Sequence, residues 1–236
     1  MSSAEISTNK KPKKNEQTMD EKLNTLRAGV LGSNDGILTV VGVLFSVAVA
    51  TTNHFTIFIA GLSDLLACAF SMAAGEYASV STQKDTEKSV VEKERQLIKT
   101  DFASELRAVS DFYRFRGVTK ETSDKIAQDL MSKKPLETVV SVKYDIKLGH
   151  YMNPWNAAFS SLFSAASGGV FPLVAMTLTP DAFKWPATIL AVCLSVAVTG
   201  FLSAKLGKGN VKVAMIRNII VGIITMIIHY SIGLML

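Results

Sequence analysis

Asp64, Cys68, Met72 and Glu76 recur every four residues inside an otherwise apolar stretch of this 236-residue chain. In a helix such positions share one face, so the four side chains form a stripe made wholly of possible metal ligands. Another carboxylate, Asp35, lies in a second apolar stretch, within Leu31-Gly32-Ser33-Asn34-Asp35-Gly36. A carboxylate inside a bilayer-spanning helix is costly and is rarely kept for packing alone. Carboxylates suit Mn²⁺ and Fe²⁺, and a thioether such as Met72 tips a site toward softer, later metals and away from Mg²⁺ or Ca²⁺. A carboxylate in a partly dry place also holds a proton readily. The same groups could therefore couple movement of a cation to movement of protons.

Such a stripe needs helices to hold it. Apolar residues make up 48% of the chain and fall in long blocks rather than alternating with charge, the pattern of an integral membrane protein. A spanning helix needs about 20 apolar residues. Five blocks qualify, roughly 28–50, 55–80, 156–178, 184–206 and 211–234. The third contains Pro172, which membrane helices tolerate when neighbours re-satisfy the backbone. The first two spans are joined by only Thr51-Thr52-Asn53-His54, so they are antiparallel neighbours. Asp35 lies about seven residues from the cytosolic start of the first span and Met72 about eight from the cytosolic end of the second. At about 1.5 Å per residue both sit roughly 10–12 Å deep.

The net charge of +5 does not indicate nucleic acid, because of where it falls. Lys10, Lys11, Lys13, Lys14, Lys22 and Arg27 precede the first span, and Lys84 and Lys88 follow the second. Lys205, Lys208, Lys212 and Arg217 surround the turn between the fourth and fifth, whereas the intervening turns hold only Lys184. This positive-inside bias places the N-terminus and residues 81–155 in the cytosol and the C-terminus on the far side. Residues 1–21 read as a disordered cytosolic tail. No cleavable signal peptide or long targeting extension is evident, which points to a bacterial cell membrane rather than a vacuole-type compartment. The two cysteines, Cys68 and Cys193, lie in apolar spans and make no zinc spacing.

Residues 81–155 are different material, densely charged with apolar residues at helical spacing. The second span is expected to continue as a helix through Val90, Val91, Glu94, Leu97 and Ile98 and to break near Thr100-Asp101. A short helix follows over Phe102 to Phe115. Gly117 stops it, and Thr119 caps another that runs to Lys134-Pro135. Leu136 to Leu148 resume the helical pattern. The outcome is an all-α membrane protein: residues 22–80 as spans one and two, 81–155 as a small helical cytosolic domain, and 156–236 as spans three to five.

Some of these residues also fit plainer roles. Asp35 and Asp64 could be packing pins for a non-transporting membrane protein that uses its loop as an interaction platform. His54 and His229 fall near the outer face as interfacial residues. Gly29, Gly32, Ser33 and Gly36, like Ser160, Ser164, Ser167 and Gly168, have small-residue spacing that favours close helix approach and would suit a dimer seam. An intramembrane hydrolase finds no support, since neither a Ser/His nor an HExxH arrangement is present.

The run Leu26-Arg27-Ala28-Gly29-Val30-Leu31-Gly32-Ser33-Asn34-Asp35-Gly36 resembles the opening motif of the vacuolar iron transporter family. Ala69-Phe70-Ser71-Met72-Ala73-Ala74-Gly75-Glu76-Tyr77 and Gly168-Gly169-Val170-Phe171-Pro172-Leu173 resemble two further motifs of that family. The resemblance runs from about residue 22 to the end. It implies a homodimer that exports Fe²⁺ and often Mn²⁺ from the cytosol in exchange for protons, with no resident cofactor. It places Asp35 and Met72 in the ion path, and Glu76 and Asp64 share their stripe. Family loops gather metal on several Glu and Met residues. Here Glu94, Glu105 and Asp145 match such positions, while Leu97, Ala108, Ser141 and Val142 stand where other ligands would be. The implied protein is a transporter of divalent metal ions, not an enzyme, with a cytosolic loop that binds metal weakly or not at all.

Overall fold

The computed structural model describes residues 19–235. The expected tail therefore lies outside the described residues as far as residue 18. Among the described residues every regular element is helical: α1 (Met19–Ala50), α2 (His54–Thr100), α3 (Phe102–Phe115), α4 (Lys120–Lys133), α5 (Pro135–Tyr144), α6 (Pro154–Leu178), α7 (Lys184–Leu206) and α8 (Val211–Met235). Five of them, α1, α2, α6, α7 and α8, are long and apolar enough to cross a membrane. They match the five apolar blocks, and the chain is an integral membrane protein.

The bundle is built around α1, which packs against all four other spans. Its Ile37, Val40, Val41 and Leu44 are almost fully buried, against Ile57 and Leu65 of α2, Leu173 and Met176 of α6, Val192 and Val196 of α7, and Met226 of α8. Ile220, Ile224 and Ile227 of α8 and Leu190 and Leu194 of α7 face outward, as suits contact with lipid. Aromatic rings mark both ends of the bundle. Trp185 packs on Phe45 and Tyr230, with centroids 5.1 and 5.6 Å apart, at one end. Tyr77 lies 4.8 Å from Trp155 at the other.

The small residues of the first and third spans meet each other within one chain. A Cβ at Gly32 would stand 2.9 Å from the Ser161 carbonyl oxygen, and at Gly36 the Ala165 carbonyl leaves no room for one. From the other side, Gly168 lies directly against the Ser33 carbonyl. This face is thus an internal seam of backbone on backbone rather than the dimer seam expected from its spacing. Close approach of this kind maximises van der Waals packing, which must do the work in lipid that water does elsewhere. The seam fixes the rotation of α1 and so fixes where Asp35 points.

α2 runs unbroken for 47 residues, about 70 Å at 1.5 Å per residue. It starts at Asn53, whose side chain accepts from the Thr56 N–H at 3.1 Å. It ends at Asp101, whose own N–H donates to the Leu97 carbonyl while its carboxylate caps α3 through the Ser104 N–H. One residue thus closes one helix and opens the next, at the expected break. Thr119 caps α4 as expected, and Gly117 turns with φ at +88°. The last helix of the loop is shorter than its pattern suggests. α5 ends at Tyr144, because Asp145 takes a left-handed conformation with φ at 56° and its N–H bonds back to Ser141. Aspartate tolerates that conformation better than most residues. The domain has its own small core of Val109, Ala127, Met131 and Val139, with Ile98 of α2 packed against it.

Candidate metal site within the membrane

The seam between α1 and α6 presents Asp35 to α2. There the Cys68 thiol donates to Asp35 Oδ2 at 3.6 Å. Asp64 lies one turn earlier on α2, within electrostatic range of Asp35. Thr39, one turn beyond Asp35 on α1, stands beside both Asp64 and Cys68. The Thr39 hydroxyl is the hydrogen-bonding group next to Asp64 and Cys68, but Thr39 Oγ1 and Asp64 Oδ2 are both buried without a well-formed hydrogen bond. Two buried, under-satisfied oxygens beside a second carboxylate and a thiol form the kind of donor set that a partly dehydrated cation seeks. The His229 ring of α8 is the basic group within electrostatic range of Asp64.

The stripe on α2 keeps its expected order. Asp64, Cys68, Met72 and Glu76 are all half-buried, flanked by the buried ridge Ile57, Gly61, Leu65 and Ala69. From Asp64 to Glu76 the stripe covers about 18 Å of helix axis. No three His, Cys, Asp or Glu residues among the described ones close into a cage. The arrangement is a line of successive donors and not one shell. Asp35 meets Cys68 rather than Met72, which sits one turn further along α2. Side chains lean toward the N-terminus of their helix, so in these antiparallel helices Asp35 and Met72 lean in opposite directions. Glu76 adjoins Tyr77 and hence the aromatic pair with Trp155.

Several polar residues of the bundle escaped the sequence reading. Thr39 carries the i, i+4 relation to Asp35, a signal that was available. Thr199 and Asn218 belong to a separate link: Asn218 Nδ2 donates to Thr199 Oγ1 at 3.3 Å, and that hydroxyl lies 3.4 Å from Asn34 Oδ1. Asn34 therefore ties α1 to α7 and α8 while its neighbour Asp35 faces α2. His54 is exposed at the start of α2, 3.3 Å from Asp181. His229 is half-buried beside Tyr230 on α8. Its ring packs directly on Gly42, and its Nδ1 lies 3.3 Å from Ser46 Oγ.

In the helical segment between α2 and α6 the three candidate carboxylates part company. Glu94 of α2 is wholly buried and Glu105 of α3 nearly so. Both converge on Lys143 of α5, whose Nζ stands 2.9 Å from each Glu94 oxygen and 3.2 and 3.0 Å from those of Glu105. The Tyr144 hydroxyl donates to Glu94 at 2.7 Å. Burial opposes ionisation of Glu94, but the Lys143 ammonium and the Tyr144 hydroxyl outweigh it and hold the carboxyl below its usual range. Burial likewise opposes the Lys143 charge, yet Glu94 and Glu105 hold its ammonium above the ordinary lysine range. Asp145 does not join them; it is exposed at the end of α5.

Comparison with known proteins accords with this architecture. The model of the VIT family matches residues 26–234. A protein of Acanthamoeba castellanii named "Vacuolar iron transporter" is 33% identical over 88% of this chain and 77% of its own length. "Vacuolar iron transporter homolog 1" of Oryza sativa subsp. japonica is 28% identical over 88% of this chain and 72% of its own. "Vacuolar iron transporter homolog 2.1" of Arabidopsis thaliana is 25% identical over 95% of this chain and 87% of its own.

Proposed function

The chain belongs to the VIT family, and from that premise we propose that it carries Fe²⁺ or Mn²⁺ out of the cytosol in exchange for protons. It is a membrane transporter and not an enzyme. The observation that carries the metal reading is the cluster of Asp35, Asp64, Cys68 and Thr39, with two buried oxygens left without well-formed hydrogen bonds. In this reading the cation enters past Glu76 and Met72, sheds water along the stripe, and is held between Asp35 and Asp64. Carboxylates that release the cation take up protons in its place, which gives the exchange its chemistry. Acids serving only as packing pins would call for a close basic partner; His229 acts on Asp64 at a distance, while the thiol of Cys68 is the group that contacts Asp35.

The N-terminus and the domain of residues 81–155 face the cytosol in this reading, following the distribution of Lys and Arg. The half-buried stripe lies at the side of the bundle, where a second copy would complete the wall of the path; a homodimer is the working unit we propose. The test is a panel of divalent ions offered to reconstituted vesicles with a pH reporter inside. Fe²⁺ or Mn²⁺ flux accompanied by proton movement in the opposite direction is expected, with little response to Mg²⁺ or Ca²⁺. Metal flux that leaves internal pH unchanged overturns the exchange, and absence of flux for every ion overturns transport itself.

A further inference from the structure

Glu94 and Glu105 come from different helices and are both buried, an arrangement that two carboxylates adopt around a shared proton or a positive charge. The charge here is Lys143, 38 residues from Glu105 and 49 from Glu94. Its ammonium has three N–H groups but faces four carboxylate oxygens, all between 2.9 and 3.2 Å away. More acceptors than donors surround it, so the geometry is that of a shell around a point charge rather than a set of directional bonds. The Tyr144 hydroxyl completes the shell on the Glu94 side. Two bidentate carboxylates and a phenol oxygen are also a hard donor set of the kind that binds Mn²⁺ or Mg²⁺.

We propose that Lys143 is a tethered cation filling a latent divalent-metal position between α2 and α3, so that the cytosolic domain of this chain assembles without metal. The residues present do not fit a resident ion while the ammonium stands among them, because the ion would have to displace a like charge. Removing that charge without removing the bulk opens the position. The two carboxylates would then repel each other and part, unless a divalent ion brought them back. Hard divalent ions bind oxygen at about 2.0–2.6 Å, a contraction that flexible glutamate side chains can follow.

The experiment compares the full-length protein with Lys143→Met in detergent, using Mn²⁺ as the probe. Hydrogen exchange across residues 102–144 and the count of bound Mn²⁺ are both read. Protection in the unsubstituted protein should be the same with and without Mn²⁺. In Lys143→Met, protection without metal should fall at least ten-fold. Saturating Mn²⁺ should restore it and bind one more ion per chain than in the unsubstituted protein. Adding Glu105→Gln to Lys143→Met should abolish both the extra ion and the restoration. The proposal is overturned if Mn²⁺ raises protection of this segment while Lys143 is in place. It is equally overturned if Lys143→Met gains no ion and no protection, including the case in which the variant is loosened and Mn²⁺ fails to mend it. The readout lies in the cytosolic domain and does not depend on transport, so its outcome is separate from that of the flux measurement.

Discussion

Two pairs of carboxylates in this molecule are treated in opposite ways. Asp35 and Asp64 approach each other within the apolar spans, where charge is most expensive, with a thiol and a threonine beside them and the His229 ring in electrostatic range of Asp64. Glu94 and Glu105 approach each other outside the membrane and have an ammonium held between them. In the proposed reading, carboxylates that already hold an ammonium of their own chain are structural, and those without a close ion-pair partner keep a position for something that comes and goes. Within one chain, therefore, the partner of an acid tells more about its role than the acid itself does.

The widest gap between the two pairs should appear in transport. Asp35→Asn keeps volume and hydrogen bonding but removes the charge that compensates a dehydrated cation. Flux in vesicles should drop by at least a hundred-fold while the size-exclusion profile stays the same. Ordinary flux through a correctly assembled Asp35→Asn protein would erase the distinction. For the cytosolic pair the corresponding change is Glu94→Gln, and its effect should be on stability and not on the ion. Breaking a buried pair costs about 3–5 kcal/mol; a figure nearer ~2 kcal/mol is expected here, since the Lys143 side chain is 26% exposed and Glu105 remains. Hydrogen exchange in α3 to α5 measures it, and flux should change less than three-fold.

A finer cut concerns the softness of the membrane path. Met72→Ala should weaken Fe²⁺ transport more than Mn²⁺ transport, about ten-fold against two- or three-fold, because Mn²⁺ prefers oxygen donors. Met72→Leu preserves volume. If it transports both ions normally, Met72 is packing and the path consists of oxygen donors and Cys68. The smallest effect is that of pH on the cytosolic pair. The Glu94 carboxyl is held below its usual range. Its stabilising contribution is thus complete above about pH 4.3, the ordinary glutamate value, and is lost as pH falls through the lower folded value. Lys143 is held above its usual range, so its contribution is complete below about pH 10.4 and is lost as pH rises through the higher folded value. Protection of α3 to α5 should be flat between these limits. A midpoint near pH 6–7 would contradict the pairing.

The parts that could be read from sequence are those set by local chemistry. The five spans follow from apolar length alone. The break at Asp101 and the start at Thr119 follow from capping groups that act within three or four residues. The end of α5 did not, because a left-handed Asp145 leaves no periodic trace. Small residues at helical spacing announced that α1 and α6 would approach something closely, but spacing cannot say what, and they turned out to face each other. Asp35 and the stripe on α2 were recognisable because acids stand out against apolar neighbours. Lys143 did not stand out, being one lysine among many in a charged loop. Only the fold brings it to carboxylates dozens of residues earlier.

The unbroken course of α2 has a mechanical consequence. Glu76 and Thr100 belong to one helix and are about 36 Å apart along its axis. There is no hinge between them to absorb a change of angle. A tilt of only about 5° at the level of Glu76 would sweep the far end through about 3 Å, by the rise of 1.5 Å per residue. Glu94 rides on that arm and is fastened through Lys143 to α3 and α5. The domain formed by α3 to α5 is thus the load on a rigid lever, and any rocking of α2 at the intramembrane acids must carry the whole of it along.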